Sequence, residues 1–401
     1  MRILVLSVVV LLSCAASAAE SLTEIRQRYE RELYERVVPF WERHALDREQ
    51  GGFLCCLDRE GRPYDTFKEM WLEWRAVYMF AALHNGPKGE ARWLKIAEDA
   101  FGTLTAKTRR GDGSYPYRTD RIWNPIAAGG SAETFTHGFA AIASAELYKA
   151  TGKEKYRLEA ESCWRVFRRL WKANESRQLE LGHRMIGLNV MNVFNRVFKD
   201  AYRAEADAIV AEIAKFRDAE TGCLAEHLSA DWRIEVERQS GRFVNPGHDL
   251  EGVSFALDHL RHFGDRARLN DVLSVCDAAW KLGWDREGGG GLVYRDMRGL
   301  PPDKTDWMLK TWWACCEAAT GMLRAYELSG DERHLDAFRE IDAYNWKAFR
   351  DPDHPEWFAY APVDGRRCHL YKGNFRKGCF HLPRYLFECI EVLARLEGTK
   401  K

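Results

Sequence analysis

After its first nineteen residues the chain has no apolar run long enough to form a bilayer-spanning helix. It has no surplus charge either: 60 Lys and Arg stand against 60 Asp and Glu. With no dense basic cluster, nucleic acid is not an expected partner. No CxxC pair and no Cys/His spacing of the zinc kind occurs, so no metal site is read from the cysteines. What the chain does have is core: 46% of its 401 residues are hydrophobic, and 15 are Trp.

The first nineteen residues read as an export signal. Met1-Arg2 gives a short positive start, Ile3 to Leu12 an apolar stretch, and Ala16-Ser17-Ala18 a small-residue cleavage site. Leu11-Leu12-Ser13-Cys14 is also a lipoprotein box, with Cys14 as the acylated residue. The expected mature chain is therefore exported, periplasmic or secreted, with a lipid anchor at Cys14 left open. Export permits disulfides. The ten later cysteines, including the neighbours Cys55-Cys56 and Cys315-Cys316, are nevertheless dispersed among apolar helical stretches. Mostly buried thiols are expected, with one or two bridges left open.

Helical periodicity dominates the remainder. Twelve helices are predicted at 22–45, 67–84, 89–107, 134–151, 154–174, 184–198, 199–217, 248–263, 266–284, 306–329, 331–348 and 379–397. They fall into pairs, many joined by short polar turns such as Thr151-Gly152-Lys153 and Ser329-Gly330-Asp331, where Gly can end a helix. Six antiparallel hairpins in a ring make an all-α (α/α)6 barrel, so residues 20–401 are expected to be one domain. Longer loops at 48–66, 108–133, 218–247, 285–305 and 349–378 each precede an inner helix and gather at one end. Gly52-Phe53-Leu54 and Gly291 to Tyr294 are the expected short β-hairpins there. A pocket at that end is the expected site.

Four segments carry candidate chemistry. In Asn245-Pro246-Gly247-His248, Asn caps a helix that Pro starts, placing His248 in its first turn. The positive helix end disfavours an imidazolium there, so His248 is expected neutral, with Glu251 three residues on to orient it. A solvated capping pair fits the same spacing. His381, in Lys377-Gly378-Cys379-Phe380-His381-Leu382-Pro383-Arg384, stands at another helix start and reads equally as a buried core histidine. Inner helices of a toroid run parallel, so both histidines would share one end. Trp71 and Arg75 are one turn apart, and an Arg in an apolar helix needs an anionic partner or intermediate. Trp313 and Glu317 put an aromatic face beside a carboxylate.

Taken together, these segments resemble the N-acylglucosamine 2-epimerase family across nearly the whole mature chain. KGCFHLPR at 377–384, and NPGH at 245–248 followed by Glu251, are the most specific motifs. The resemblance implies an (α/α)6 barrel and metal-free, cofactor-free inversion at C2 of an open-chain aldose. It also implies roles: His248 and His381 as paired acid and base, and Arg75 as the cation near O1 and O2. Glu251 would support the first histidine, while Trp313, Glu317, Trp71, Asn189 and Lys377 would contact the sugar. Members often bind a nucleotide effector, but no Walker-type loop occurs here and none is expected.

The chain departs from the family pattern at several positions. Ser254 stands where many relatives have Trp, and Glu73, Cys315 and Cys316 replace commoner residues. Cellobiose epimerases and the aldose–ketose isomerases of the group carry a further His in an Asn-Met-His arrangement. Here that stretch reads Arg184-Met185-Ile186, followed by Asn189, which sides with the N-acylglucosamine branch. The expected reaction is N-acylglucosamine/N-acylmannosamine interconversion through an enediolate. Return of the proton to C1 would give an isomerase instead. Glycoside hydrolysis would use Glu251 and Glu317 as its two carboxylates, and a non-catalytic sugar-binding role is the third alternative. A second copy of the chain, as a homodimer, is a candidate partner alongside the sugar.

Overall fold

A computed structural model describes residues 20–127, 131–304, 307–362 and 369–399. The leader, including Cys14, lies outside them. Helices α1 (Leu22–Arg31) and α2 (Val38–His44) are halves of one rod joined by a π turn at Glu32–Val37. Pro39 explains the turn: its ring crowds the carbonyl four residues back and offers no N–H, so the Val38 N–H bonds to Leu33 O instead. There follow α3 (Met70–Asn85), α4 (Ala91–Thr108), α5 (Ser131–Thr151), α6 (Glu154–Asn174), α7 (Leu181–Val197) and α8 (Arg203–Ile213). A single-turn α9 (Gln239–Arg242) precedes α10 (Pro246–Phe263), α11 (Leu269–Gly283), α12 (Trp312–Ser329), α13 (Glu332–Ala348) and α14 (His381–Thr399).

The hydrophobic pattern sorts these helices into two rings. α3, α7, α10 and α12 are buried almost all round, whereas α4, α6, α11 and α13 bury one stripe. α3, α5, α7, α10, α12 and α14 pack each on the next, and α14 returns to α3, closing the inner ring of an (α/α)6 barrel. Gly152 and Gly330, at φ +66° and +70°, supply the left-handed turns that end α5 and α12. All twelve predicted helices are present.

The rim differs from expectation. Gly52 to Leu54 and Gly291 to Tyr294 make single β-bridges rather than hairpins. The strands lie elsewhere and mostly tie one rim loop to the next. β1 (Lys68–Glu69), β2 (Arg118–Thr119) and β3 (Pro125–Ala127) form one small antiparallel sheet. β4 (Gln178–Glu180) pairs with β5 (His227–Ser229), β6 (Phe243–Val244) with β7 (Arg295–Asp296), and β8 (Leu309–Thr311) with β9 (Tyr360–Pro362). Periodicity within one loop cannot reveal a partner in another. The nine described cysteines are free and buried, as expected of packed thiols, and Cys368 lies outside the described residues. No helix among the described residues is long and apolar enough to cross a membrane.

Candidate active site

The N-termini of the inner helices open into a cavity of about 460 Å³ under the rim loops. His248 reaches it as predicted: Asn245 Oδ1 accepts from the Gly247 and His248 amides at 3.1 and 3.4 Å, and Pro246 starts α10. Gly247 allows a close approach, since a Cβ there would lie 2.8 Å from Ala314 Cβ and 2.9 Å from the Trp313 ring. The His248 ring consequently rests 5.2 Å from Trp313. His381, the first residue of α14, lies 5.9 Å from the same indole. The two imidazoles thus share one aromatic neighbour in one cavity. Arg75, only 6% exposed, also lines it and stacks between the rings of Trp71, Phe139 and Phe380 at 4.4, 4.1 and 4.6 Å. Its Nε has no hydrogen-bond partner among the described residues.

Each histidine has a carboxylate, though for His248 not the one its spacing suggests. His248 Nδ1 meets Glu226 Oε1 at 2.8 Å. His381 Nδ1 meets Glu317 Oε1 at 2.7 Å. Glu251 shares the cavity face of His248, but its Oε1 accepts from Arg384 Nη2 at 2.8 Å, and the same nitrogen lies 2.6 Å from Glu317 Oε1. Glu251 is therefore not the support of His248: α10 points it at α14, where Arg384 takes it. Glu317, expected against the sugar, holds His381 from one turn below Trp313. In both pairs Nδ1 is engaged, which leaves Nε2 as the free nitrogen.

The surroundings then split the two imidazoles. Burial opposes charge on His248, but the Glu226 carboxylate, with Glu251 and Asp249 behind it, raises the ring from 6.5 to about 9. The expected neutral His248 is thus corrected: a full carboxylate at contact outweighs the partial charge of a helix end. His381 moves the other way. Burial, reinforced by the Arg75 and Arg384 cations, holds it well below 6.5 despite Glu251. Burial also lowers Arg75, to about 9, so it remains a cation at neutral pH. Glu251, Glu317 and His381 bring potential metal-ligand atoms within 4.8 Å of one another, but Arg384 already supplies the positive charge between the two carboxylates.

Other predicted residues sort themselves by depth. Trp71 and Trp313 line the cavity. Asn189 does not; it is buried one turn below Met185 and Ile186, which do. Lys377 is 1% exposed and donates to Glu356 Oε1 at 2.5 Å and Lys372 O at 2.7 Å, so it pins the loop before α14 rather than a ligand. Ser254 lies below the cavity and accepts from Arg324 Nη1 at 2.7 Å, hence no stacking face is missing from the wall at that position. Glu73, which accepts from the Phe53 amide at 2.9 Å, is also behind the wall, as are Cys315 and Cys316. Burial pushes the Glu73 carboxyl up to about 7. Glu226 escaped sequence reasoning because it sits 22 residues before His248 on a loop with no periodicity. Arg384 was within reach, three residues after His381 on one helix.

The family model for N-acylglucosamine 2-epimerase (GlcNAc 2-epimerase) matches residues 51–377. The chain belongs to the N-acylglucosamine 2-epimerase family. It is 30% identical to the N-acylglucosamine 2-epimerase of Mus musculus over 94% of each chain. With the cellobiose 2-epimerase of Dictyoglomus turgidum identity is 22%, over 91% of this chain and 97% of the relative. Among solved structures, the cellobiose 2-epimerase of Bacillus thermoamylovorans superposes with a TM-score of 0.77 at 19% identity, covering 92% of this chain and 99% of that one. Membership of the N-acylglucosamine 2-epimerase family makes the chain an isomerase-class carbohydrate epimerase.

Proposed function

We propose that this epimerase interconverts N-acylglucosamine and N-acylmannosamine by passing a proton across C2 between His381 and His248. The observation that carries this reading is the pair of imidazoles beside one indole, each held at Nδ1 by a carboxylate, with the Arg75 guanidinium in the same cavity. An open-chain sugar places C2 between the two Nε2 atoms. Neutral His381 takes the C2 proton, and the C2–H electrons move through C1 onto O1. The intermediate is an enolate, or an enediolate where C2 carries a hydroxyl.

Arg75 faces that developing charge from a dry aromatic cage, where a well-aimed donor contributes about 2.7–4 kcal/mol. Cationic His248 then protonates the opposite face of C2, giving the other epimer. The reverse direction begins with the proton on His381. Two bases are needed because one histidine returning its own proton regenerates the starting sugar, and each contributes about 10²–10⁴-fold.

Glycoside hydrolysis fits less well, because Glu251 and Glu317 converge on one arginine nitrogen and Glu317 also holds His381, so the two carboxylates do not stand apart to flank a glycosidic bond. The test is incubation with N-acetylglucosamine, N-acetylmannosamine, mannose and glucose in D2O. Deuterium at C2 of a recovered N-acyl aldose supports epimerisation. A ketose product would mean isomerisation, and no exchange with any sugar would overturn the reading. Export of this activity by the leader belongs to the proposal; finding the intact leader on cytosolic protein would remove it.

A further inference from the structure

The cavity has two chemically different halves. Glu226, His248, Glu251, His381 and Arg75 make one side polar. Among the described residues, the side built by α5 and α7 brings no polar side chain to the cavity: Phe135 and Phe139 come from α5, and Gly182, Met185 and Ile186 from α7. This follows from how α7 is turned. Its polar residues at the same level face away, with His183 stacked 6.2 Å from Trp171 and Arg184 paired to Glu175 and Glu212. Gly138 sets the fit, since a Cβ there would lie 2.8 Å from Ile186 Cγ2. α5 and α7 are thus close enough to hold Ile186 in the wall.

We propose that this α5–α7 patch is the pocket for the acyl group on C2, with Gly182 and Ile186 setting the acyl length accepted. The inference rests on the epimerase reading and adds to it the residues that choose the substrate. Phe139 carries the Arg75 guanidinium at 4.1 Å, so the apolar wall begins beside the position given to O1, two bonds from C2. A plain hexose has a hydroxyl on nearly every carbon, and a hydroxyl against this wall would lose its hydrogen bonds. The acyl methyl is the one fully apolar group that an N-acyl hexosamine offers. At Gly182 an added Cβ would meet the Phe135 ring at 3.3 Å, so the space left by the missing side chain is narrow and closed on its far side.

The test compares N-formyl-, N-acetyl- and N-propionyl-mannosamine, by kcat/KM and by calorimetric binding. Deleting one methyl from a hydrophobic pocket should lower kcat/KM about 10–200-fold from acetyl to formyl in the wild type. Ile186→Asn should collapse that ratio toward one, and Gly182→Val should penalise propionyl before acetyl. Thermal melting checks that both variants fold. Equal binding of formyl and acetyl sugars by the wild type, or an unchanged ratio in both variants, overturns the pocket even where epimerisation persists. If binding discriminates but no sugar exchanges at C2, the pocket stands and the epimerase reading falls.

Discussion

Replacing Glu226 with Gln should uncouple the charge of His248 from its position. The amide oxygen still accepts from Nδ1 where the carboxylate lies 2.8 Å away, so the ring stays in place. What is lost is the negative charge that lifts the imidazole from 6.5 to about 9 against its own burial. Without it, burial acts with less opposition and the ring should titrate at or below its ordinary value. At about 1.36 kcal/mol per pKa unit, that is a change of roughly 3 kcal/mol in favour of the neutral ring. At pH 7.5 the protonated fraction would fall from nearly complete to about one tenth. Epimerisation in the direction that uses His248 as acid should therefore fall about tenfold at that pH from protonation alone.

The pH profile shows it most clearly. The direction that starts at His381 needs that ring neutral and His248 charged, so its wild-type kcat/KM should hold through neutrality and decline above about pH 9. In Glu226→Gln that decline should begin below pH 7. Measuring kcat/KM from pH 5 to 10 for N-acetylglucosamine and for N-acetylmannosamine decides the matter. An alkaline limb that stays near 9 in the variant would refute the reasoning, because the charge on His248 would then come from something other than Glu226.

The same pair predicts a stability effect of definite sign. A pKa raised on folding contributes stability fully present below the unfolded value of 6.5 and lost as pH rises through about 9. Melting of Glu226→Gln should accordingly lag the wild type at pH 6 and match it at pH 10. Lys377→Met should cost about 3–5 kcal/mol in denaturant titration by stranding the buried Glu356 carboxylate, with little change in KM for the sugar. A large KM rise at unchanged stability would return Lys377 to the binding site. Gly247→Ala forces a methyl against Ala314 and Trp313 and should cost about 1–3 kcal/mol, seen as a lower melting temperature together with lower kcat.

The barrel was legible because its signal is periodic and local. Twelve apolar stripes broken by turns such as Ser329-Gly330-Asp331 leave few arrangements, and the long helices from α1–α2 to α14 follow them closely, with only the single-turn α9 inside an expected loop. The positions of His248, His381 and Arg75 were legible from helix starts and a lone Arg in an apolar helix, but each spacing alone fitted a structural role as well, and it was the family resemblance that implied their chemistry. The support of each histidine was less visible. Carboxylate partners are chosen by where helices aim side chains across the ring, as Glu251 toward Arg384 shows, and by loops that carry no period, as with Glu226. Lys377 and Asn189 sat within suggestive neighbourhoods, yet neither side chain lines the cavity. The strands escaped for the same reason as Glu226: their partners lie in other loops.

The two-histidine account is tested most directly by following C2 deuterium exchange separately for each epimer in His248→Asn and His381→Asn. Each variant keeps one base, so neither should epimerise. His248→Asn should still exchange only the epimer whose C2 proton faces His381, and His381→Asn only the other. Epimerisation by either variant, or retention of exchange with the same epimer in both, would contradict a proton path between two opposed imidazoles.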